Sequence, residues 1–222
     1  MLNEFLWVVS PYLVLASFIV GHIFRYRYDQ FSVTAKSSEF IEKKQLMVGS
    51  MLFHIGIIFV VGGHFVGLII PESWTNAVGI SEHMYHLVAV LVGSVFGIMA
   101  FIGMFLLTFR RLGNRNVRRL SSATDIIVNL TLVLTLILGI LSTLLTDHMH
   151  PGFNYRENIA VWFRQIFLLH PDMNLMTNVP LLFKLHIISA FIIFALFPYT
   201  RLVHAWSVPL GYVKRSYIVT RI

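Results

Sequence analysis

The chain contains no cysteine in its 222 residues. That absence excludes disulfides, cysteine-ligated iron–sulfur clusters and covalently attached c-type haem. Charge is also scarce: Asp, Glu, Lys and Arg make up 12% of the residues, about half of what a soluble domain carries. The acidic sign is the scarcer, with 10 Asp and Glu against 17 Lys and Arg, a net charge of +7. No repeat or low-complexity linker divides the sequence, and no polar segment is long enough to enclose a core of its own. Catalysis on a polar substrate within this chain is therefore not expected.

What fills the sequence instead is apolar. Hydrophobic residues reach 57% and the mean hydropathy is +0.76. They form runs of about 20 residues, the length that spans a hydrocarbon core. Five runs are predicted as spans, Phe5–Phe24, Leu46–Ile70, His83–Phe109, Thr124–Thr146 and Leu181–Trp206. The expected fold is an all-α integral membrane protein, a single domain over residues 1–222. The first run has no basic segment ahead of it and no small-residue cleavage site behind it, so it reads as a retained span.

The basic residues do not gather on one face, as a nucleic-acid partner would require, but fall in alternate connections. Arg25, Arg27, Lys36, Lys43 and Lys44 follow span one, and Arg110, Arg111, Arg115, Arg118 and Arg119 follow span three. Arg201, Lys214, Arg215 and Arg221 mark the C-terminal end, whereas the second connection, Pro71 to Glu82, has none. This alternation predicts an outside N-terminus and a cytoplasmic C-terminus in a multi-pass cell-membrane protein. The fourth connection, Asp147 to Pro180, carries IAVWFRQIFLL. That stretch is expected to be an interfacial helix capping the bundle on the outer side.

Four histidines lie inside two of the apolar runs. His54 and His64 are in MLFHIGIIFVVGGHFVGLII, and His186 and His204 are in LLFKLHIISAFIIFALFPYTRLVHAW. A histidine in hydrocarbon is costly unless it is paired or bound. With span two running outward and span five inward, His54 falls level with His204 near the cytoplasm, and His64 with His186 near the outer face. Each pair can supply both axial ligands to one haem iron. Polar glue between helices is the alternative use of such histidines. Other metal ions are disfavoured, because no carboxylate or thiol lies beside them at that depth.

Spacing alone does not settle the pairing. On a straight helix His186 and His204, eighteen residues apart, point the same way and stand roughly 27 Å apart. His54 and His64, ten residues apart, are roughly 15 Å apart and about 80° short of three turns. Helix crossing, inclined rings or a kink at Pro198 must absorb the difference. Gly56, Gly62, Gly63 and Gly67 flank the span-two histidines, leaving room for a macrocycle or for close helix packing. Arg201, one turn before His204, is a candidate for a haem propionate or a positive-inside anchor. His83 and His86, with Tyr85 between them, open span three at the outer surface and are candidate proton acceptors for an oxidised quinol. His22, His148, His150 and His170 sit at span ends or in the outer connection and are expected to be solvated.

FHIGIIFVVGGHF together with KLHIISAFIIFALFPYTRLVHAWSVP resembles the gamma subunit of respiratory nitrate reductase, a membrane cytochrome b. The resemblance runs nearly the full length, includes HIFRYRYDQF after span one, and is most specific at RLVHAWSVP. SEHMYH is similar to the version found in Gram-positive bacilli, which implies menaquinol as donor. The resemblance implies two b-type haems, an inner one held by His54 and His204 and an outer one held by His64 and His186. It places quinol beside Gly63, His64 and Gly67. It also implies partners on the cytoplasmic face, an iron–sulfur beta subunit and a molybdenum-containing alpha subunit. Some enterobacterial members have a quinol-contacting lysine at the start of span three, where this chain has His83, Tyr85 and His86 instead. Cytochrome b subunits of hydrogenase, formate dehydrogenase or heterodisulfide-reductase-like complexes use similar histidines. A transporter or assembly protein for haem or metal is the reading from another class.

Overall fold

The computed structural model describes residues 1–29 and 43–206, so Lys36, Lys214, Arg215 and Arg221 lie outside the described residues. The helices are α1 (Leu2–Tyr28), α2 (Lys44–Ile69), the short α3 (Glu72–Ala77), α4 (Glu82–Gly113), the short α5 (Arg115–Arg119), α6 (Ala123–Met149), α7 (Ile159–Phe167) and α8 (Leu181–Leu196). Five of them, α1, α2, α4, α6 and α8, are long and apolar enough to cross a membrane, matching the five predicted spans. Their outer faces stay apolar: Ile58 is 67% exposed, Val20 63% and Phe109 63%. Such faces are stable against lipid rather than water.

Local signals set the helix ends. Ser81 caps α4 by accepting from the Met84 N–H. Ser122 and Asp125 form a reciprocal capping box at the start of α6, which satisfies two backbone donors that the helix leaves orphaned. Arg110 and Arg111 sit in the last turn of α4, where the helix dipole favours positive charge. α2 stops at the extended Ile70, immediately before Pro71, because proline disfavours helical backbone in the residue ahead of it.

α2 packs on α4, α4 on α6, α6 on α8, and α8 on α1. The α2–α4 contact is the tightest. A Cβ on Gly56 would fall 2.5 Å from the Ala100 nitrogen, and one on Gly103 only 2.3 Å from the Phe53 nitrogen. Here the glycines serve backbone approach. α2 and α8 are not among the closely packed pairs of the described residues, so the His54–His64 side of α2 looks across an open groove towards α8.

One end of the bundle is capped by α7. Ile159, Ala160, Trp162 and Ile166 are buried with Trp7, Met176 and Val179. The Trp162 indole donates to the Trp7 carbonyl at 2.8 Å, and Arg164 Nη1 to the Leu68 carbonyl at 3.0 Å. The latter bond satisfies an acceptor that the end of α2 leaves open. The stretch expected to cap the bundle is therefore a helix, with its apolar face turned into the bundle.

The fifth span departs from expectation. α8 ends at Leu196 and is followed by 3-10 turns over Phe197–Tyr199 and Arg201–Trp206, with Thr200 extended between them. Pro198 is the cause: it has no N–H to donate and its ring obstructs the preceding turn. The straight-helix spacing of His186 and His204 does not apply.

Candidate functional site

The structure brings His54 to His204 and His64 to His186. Their ring centroids lie 6.0 Å and 5.9 Å apart, respectively. The break after α8 makes this possible, because it frees His204 from the eighteen-residue helical spacing and lets it meet a partner only ten residues from His64.

Each of the four rings is oriented in the same way. His54 Nδ1 bonds the Ser50 carbonyl at 2.7 Å, His64 Nδ1 the Val60 carbonyl at 2.7 Å, and His186 Nδ1 the Thr135 carbonyl at 3.0 Å. His204 Nδ1 bonds the Arg201 carbonyl. A carbonyl can only accept, so Nδ1 carries the proton in each ring and Nε2 keeps its lone pair. This is the arrangement metal-bound histidines show. A metal held end-on by two imidazoles sits about 2 Å from each nitrogen, which with the ring radii puts the ring centres about 6 Å apart. Two such pairs fit two bis-histidine haems.

The glycines divide by role. Gly56 is committed to the α4 contact, whereas a Cβ on Gly62 or Gly63 would meet nothing within 4 Å. Gly139 on α6, which the sequence does not single out, would place a Cβ 2.9 Å from His186 Cε1. Its only sequence signal is an isolated glycine inside an apolar helical run. The missing side chain makes space for the His186 ring.

At the α7 end, a Cβ on Gly67 would lie 2.7 Å from the Tyr155 hydroxyl and 3.2 Å from that of Tyr85. These hydroxyls share a hydrogen bond of 3.1 Å, one helical turn along α2 from His64. Burial, and next the hydrogen bond with Tyr85, hold the Tyr155 hydroxyl well above the ordinary tyrosine range. It remains a neutral donor and acceptor. His83 is exposed in the first turn of α4, and His86 is partly buried.

Arg156, 3% exposed, organises this end. Its Nη1 donates to Glu82 Oε2 at 2.7 Å and its Nη2 to Thr75 Oγ1 at 3.1 Å, while the guanidinium lies 3.9 Å from the centre of the Tyr85 ring. Sequence reading missed Tyr155 and Arg156, because their partners are seventy or more residues away. Glu82→Gln leaves this guanidinium buried without its counter-charge. We expect a loss of about 3 kcal/mol of stability, at the lower end for a broken buried pair because Glu82 is itself 32% exposed. Thermal unfolding of the detergent-purified protein measures it, and an unchanged midpoint contradicts it.

At the opposite end Arg201 Nη2 pairs with Asp125 Oδ2 at 2.8 Å and donates to the Leu120 carbonyl at 3.2 Å. His22 is a correction. Rather than lying in solvent, it packs its ring against Phe18, Phe197 and Trp206, and its Nε2 is buried without a partner. The reason is tertiary, since the turns after α8 fold over the end of α1. His148, His150 and His170 are exposed, as expected.

Five helices long and apolar enough to cross a membrane, with two histidine pairs facing one another between α2 and the α8 segment, define the class: an all-helical, membrane-spanning protein. The chain belongs to the nitrate reductase gamma subunit family, whose model matches residues 3–222. It is 49% identical over 221 residues to the nitrate reductase gamma chain of Bacillus subtilis, covering 100% of this chain and 99% of that one. It is 35% identical to the respiratory nitrate reductase 2 gamma chain of Escherichia coli, over 99% of this chain and 97% of that relative. A nitrate reductase-like protein of Mycobacterium tuberculosis is 41% identical across the whole of this chain, which occupies 34% of that longer protein.

Proposed function

We propose that this chain is the membrane cytochrome b subunit of a quinol-oxidising nitrate reductase, with one b-type haem between His64 and His186 and a second between His54 and His204. The observation that supports this best is the repeated geometry of the pairs: ring centres 6.0 Å and 5.9 Å apart, and every Nδ1 engaged by a backbone carbonyl. When bound, the haems supply one-electron carriers across the bilayer. The rest of the chemistry is the chain's own. The basic connections put the His64–His186 pair at the outer side and the His54–His204 pair at the cytoplasmic side of the cell membrane.

Quinol, menaquinol by the resemblance, enters beside Gly63, His64 and Gly67, where Gly63 faces open space and the Tyr155 and Tyr85 hydroxyls border Gly67. Of the three candidate groups at the start of α4, Tyr85 is the one whose hydroxyl reaches Gly67, and it hydrogen-bonds the quinol hydroxyl. His83, exposed on the first turn of α4, takes up protons and releases them outward, a task an imidazole performs better than a phenol. Arg115, Arg118 and Arg119, exposed on the connection after α4, with the half-buried Arg111 beside them, form the cytoplasmic face on which an iron–sulfur subunit docks, with a molybdenum subunit beyond it reducing nitrate. Separating electron and proton in this way stores roughly 2.3 kcal/mol per charge per 100 mV.

The test is a redox spectrum of the purified complex. Two low-spin b haems, reducible by a menaquinol analogue and reoxidised by nitrate, are expected. A preparation with full partner content and no haem overturns the reading.

A further inference from the structure

We propose that the Asp125–Arg201 ion pair holds His204 at ligating distance from His54, so that haem binding at this pair depends on a contact between separate spans. The inference rests on the haem reading above and adds a positioning residue to it. Three of the four histidines ride on regular helices, His54 and His64 on α2 and His186 on α8. His204 alone lies beyond Pro198, in a 3-10 stretch. Such turns have poorer hydrogen-bond geometry than an α-helix and do not by themselves fix a ring in place.

The ring of His204 is oriented by the carbonyl of Arg201. Where the Arg201 backbone goes, the imidazole follows. The Arg201 side chain in turn anchors that backbone to the α5–α6 corner, through Asp125 Oδ2 at 2.8 Å and the Leu120 carbonyl at 3.2 Å. Asp125 is a rigid anchor. It sits in the first turn of α6, its side chain is 7% exposed, and its Oδ2 also accepts from the Ser122 N–H at 2.9 Å. Arg111 Nη1 stands 4.0 Å from the same Oδ2. A second fastening, Arg25 Nη1 to the carbonyls of Pro198 at 2.7 Å and Thr200 at 3.2 Å, holds the break itself. It stops short of the ligand. Asp125 thus acts on His204 through Arg201. The other pair does not depend on this ion pair, since His186 rides within α8 and its own Nδ1 bonds the Thr135 carbonyl of α6 directly.

The experiment uses the whole complex, purified from membranes, with haem content, optical redox titration and electron paramagnetic resonance as readouts. Asp125→Asn and Arg201→Gln are expected to shift the potential and the low-spin signal of one haem, or to lose it. It should be the haem that disappears in His204→Ala, with the other unchanged. Arg201→Lys restores most of that signal by keeping the charge. Ser122→Ala opens the capping box but keeps the ion pair, and moves neither haem. The inference is overturned if Asp125→Asn leaves both potentials and signals as in the wild type. It is equally overturned if Asp125→Asn depletes both haems alike, or if Ser122→Ala reproduces its effect. A wild-type complex without haem absorption overturns the underlying haem reading as well, and its empty spectrum tells that failure apart.

Discussion

Replacing His64 or His186 with alanine removes one and the same haem, and replacing His54 or His204 removes the other. Each substitution also takes quinol-dependent nitrate reduction to background. The expectation follows from the ring pairs at 5.9 Å and 6.0 Å and from the lone pair left on every Nε2. An alanine at one member deletes half of the axial ligation, and the remaining imidazole cannot hold a low-spin iron by itself. Haem content with a spectrum resolving the two centres reads the result. If His54→Ala and His64→Ala removed a single shared haem, the pairing along α2 would be wrong, because both residues would then face one iron.

Gly103→Val removes both haems at once. The Cβ of any residue at 103 would lie 2.3 Å from the Phe53 nitrogen and 2.7 Å from the Gly49 carbonyl oxygen. These are backbone atoms, so the helices themselves must part. Overpacking of this kind costs about 3 kcal/mol, at the upper end of the usual range because no side chain can yield. Phe53 precedes His54, and a displaced α2 carries His54 and His64 away from α8 together. Gly93→Ala on the same helix is the control. A Cβ there meets nothing within 4 Å, and full haem content is expected. Wild-type haem content in Gly103→Val would show that the α2–α4 contact does not set the position of the histidines.

Much of this was legible in the sequence because a bilayer enforces simple rules. Length and hydropathy define five spans, since a backbone in hydrocarbon must bond to itself. The fifth was misjudged at its end, where the run stays apolar through Trp206 while the helix stops at Leu196. Hydropathy does not register a missing N–H, although Pro198 carried the warning. His22 looked like a solvated end residue for a related reason: its neighbours Phe197 and Trp206 come from the far end of the chain. Tyr155, Arg156 and Gly139 had no visible role, because each matters only through a partner on another helix.

The sequence by itself determined the all-helical membrane class, the number of spans and the four histidines placed two and two, all of which depend on composition and local order. Tertiary structure alone decided how unequal spacings meet. Pro198 breaks the fifth span, the 3-10 turn returns His204 to His54, and Asp125 on a separate helix takes hold of Arg201. Ring distances of about 6 Å at both depths come from chain segments more than a hundred residues apart, and such distances are set by packing rather than by any local run of residues.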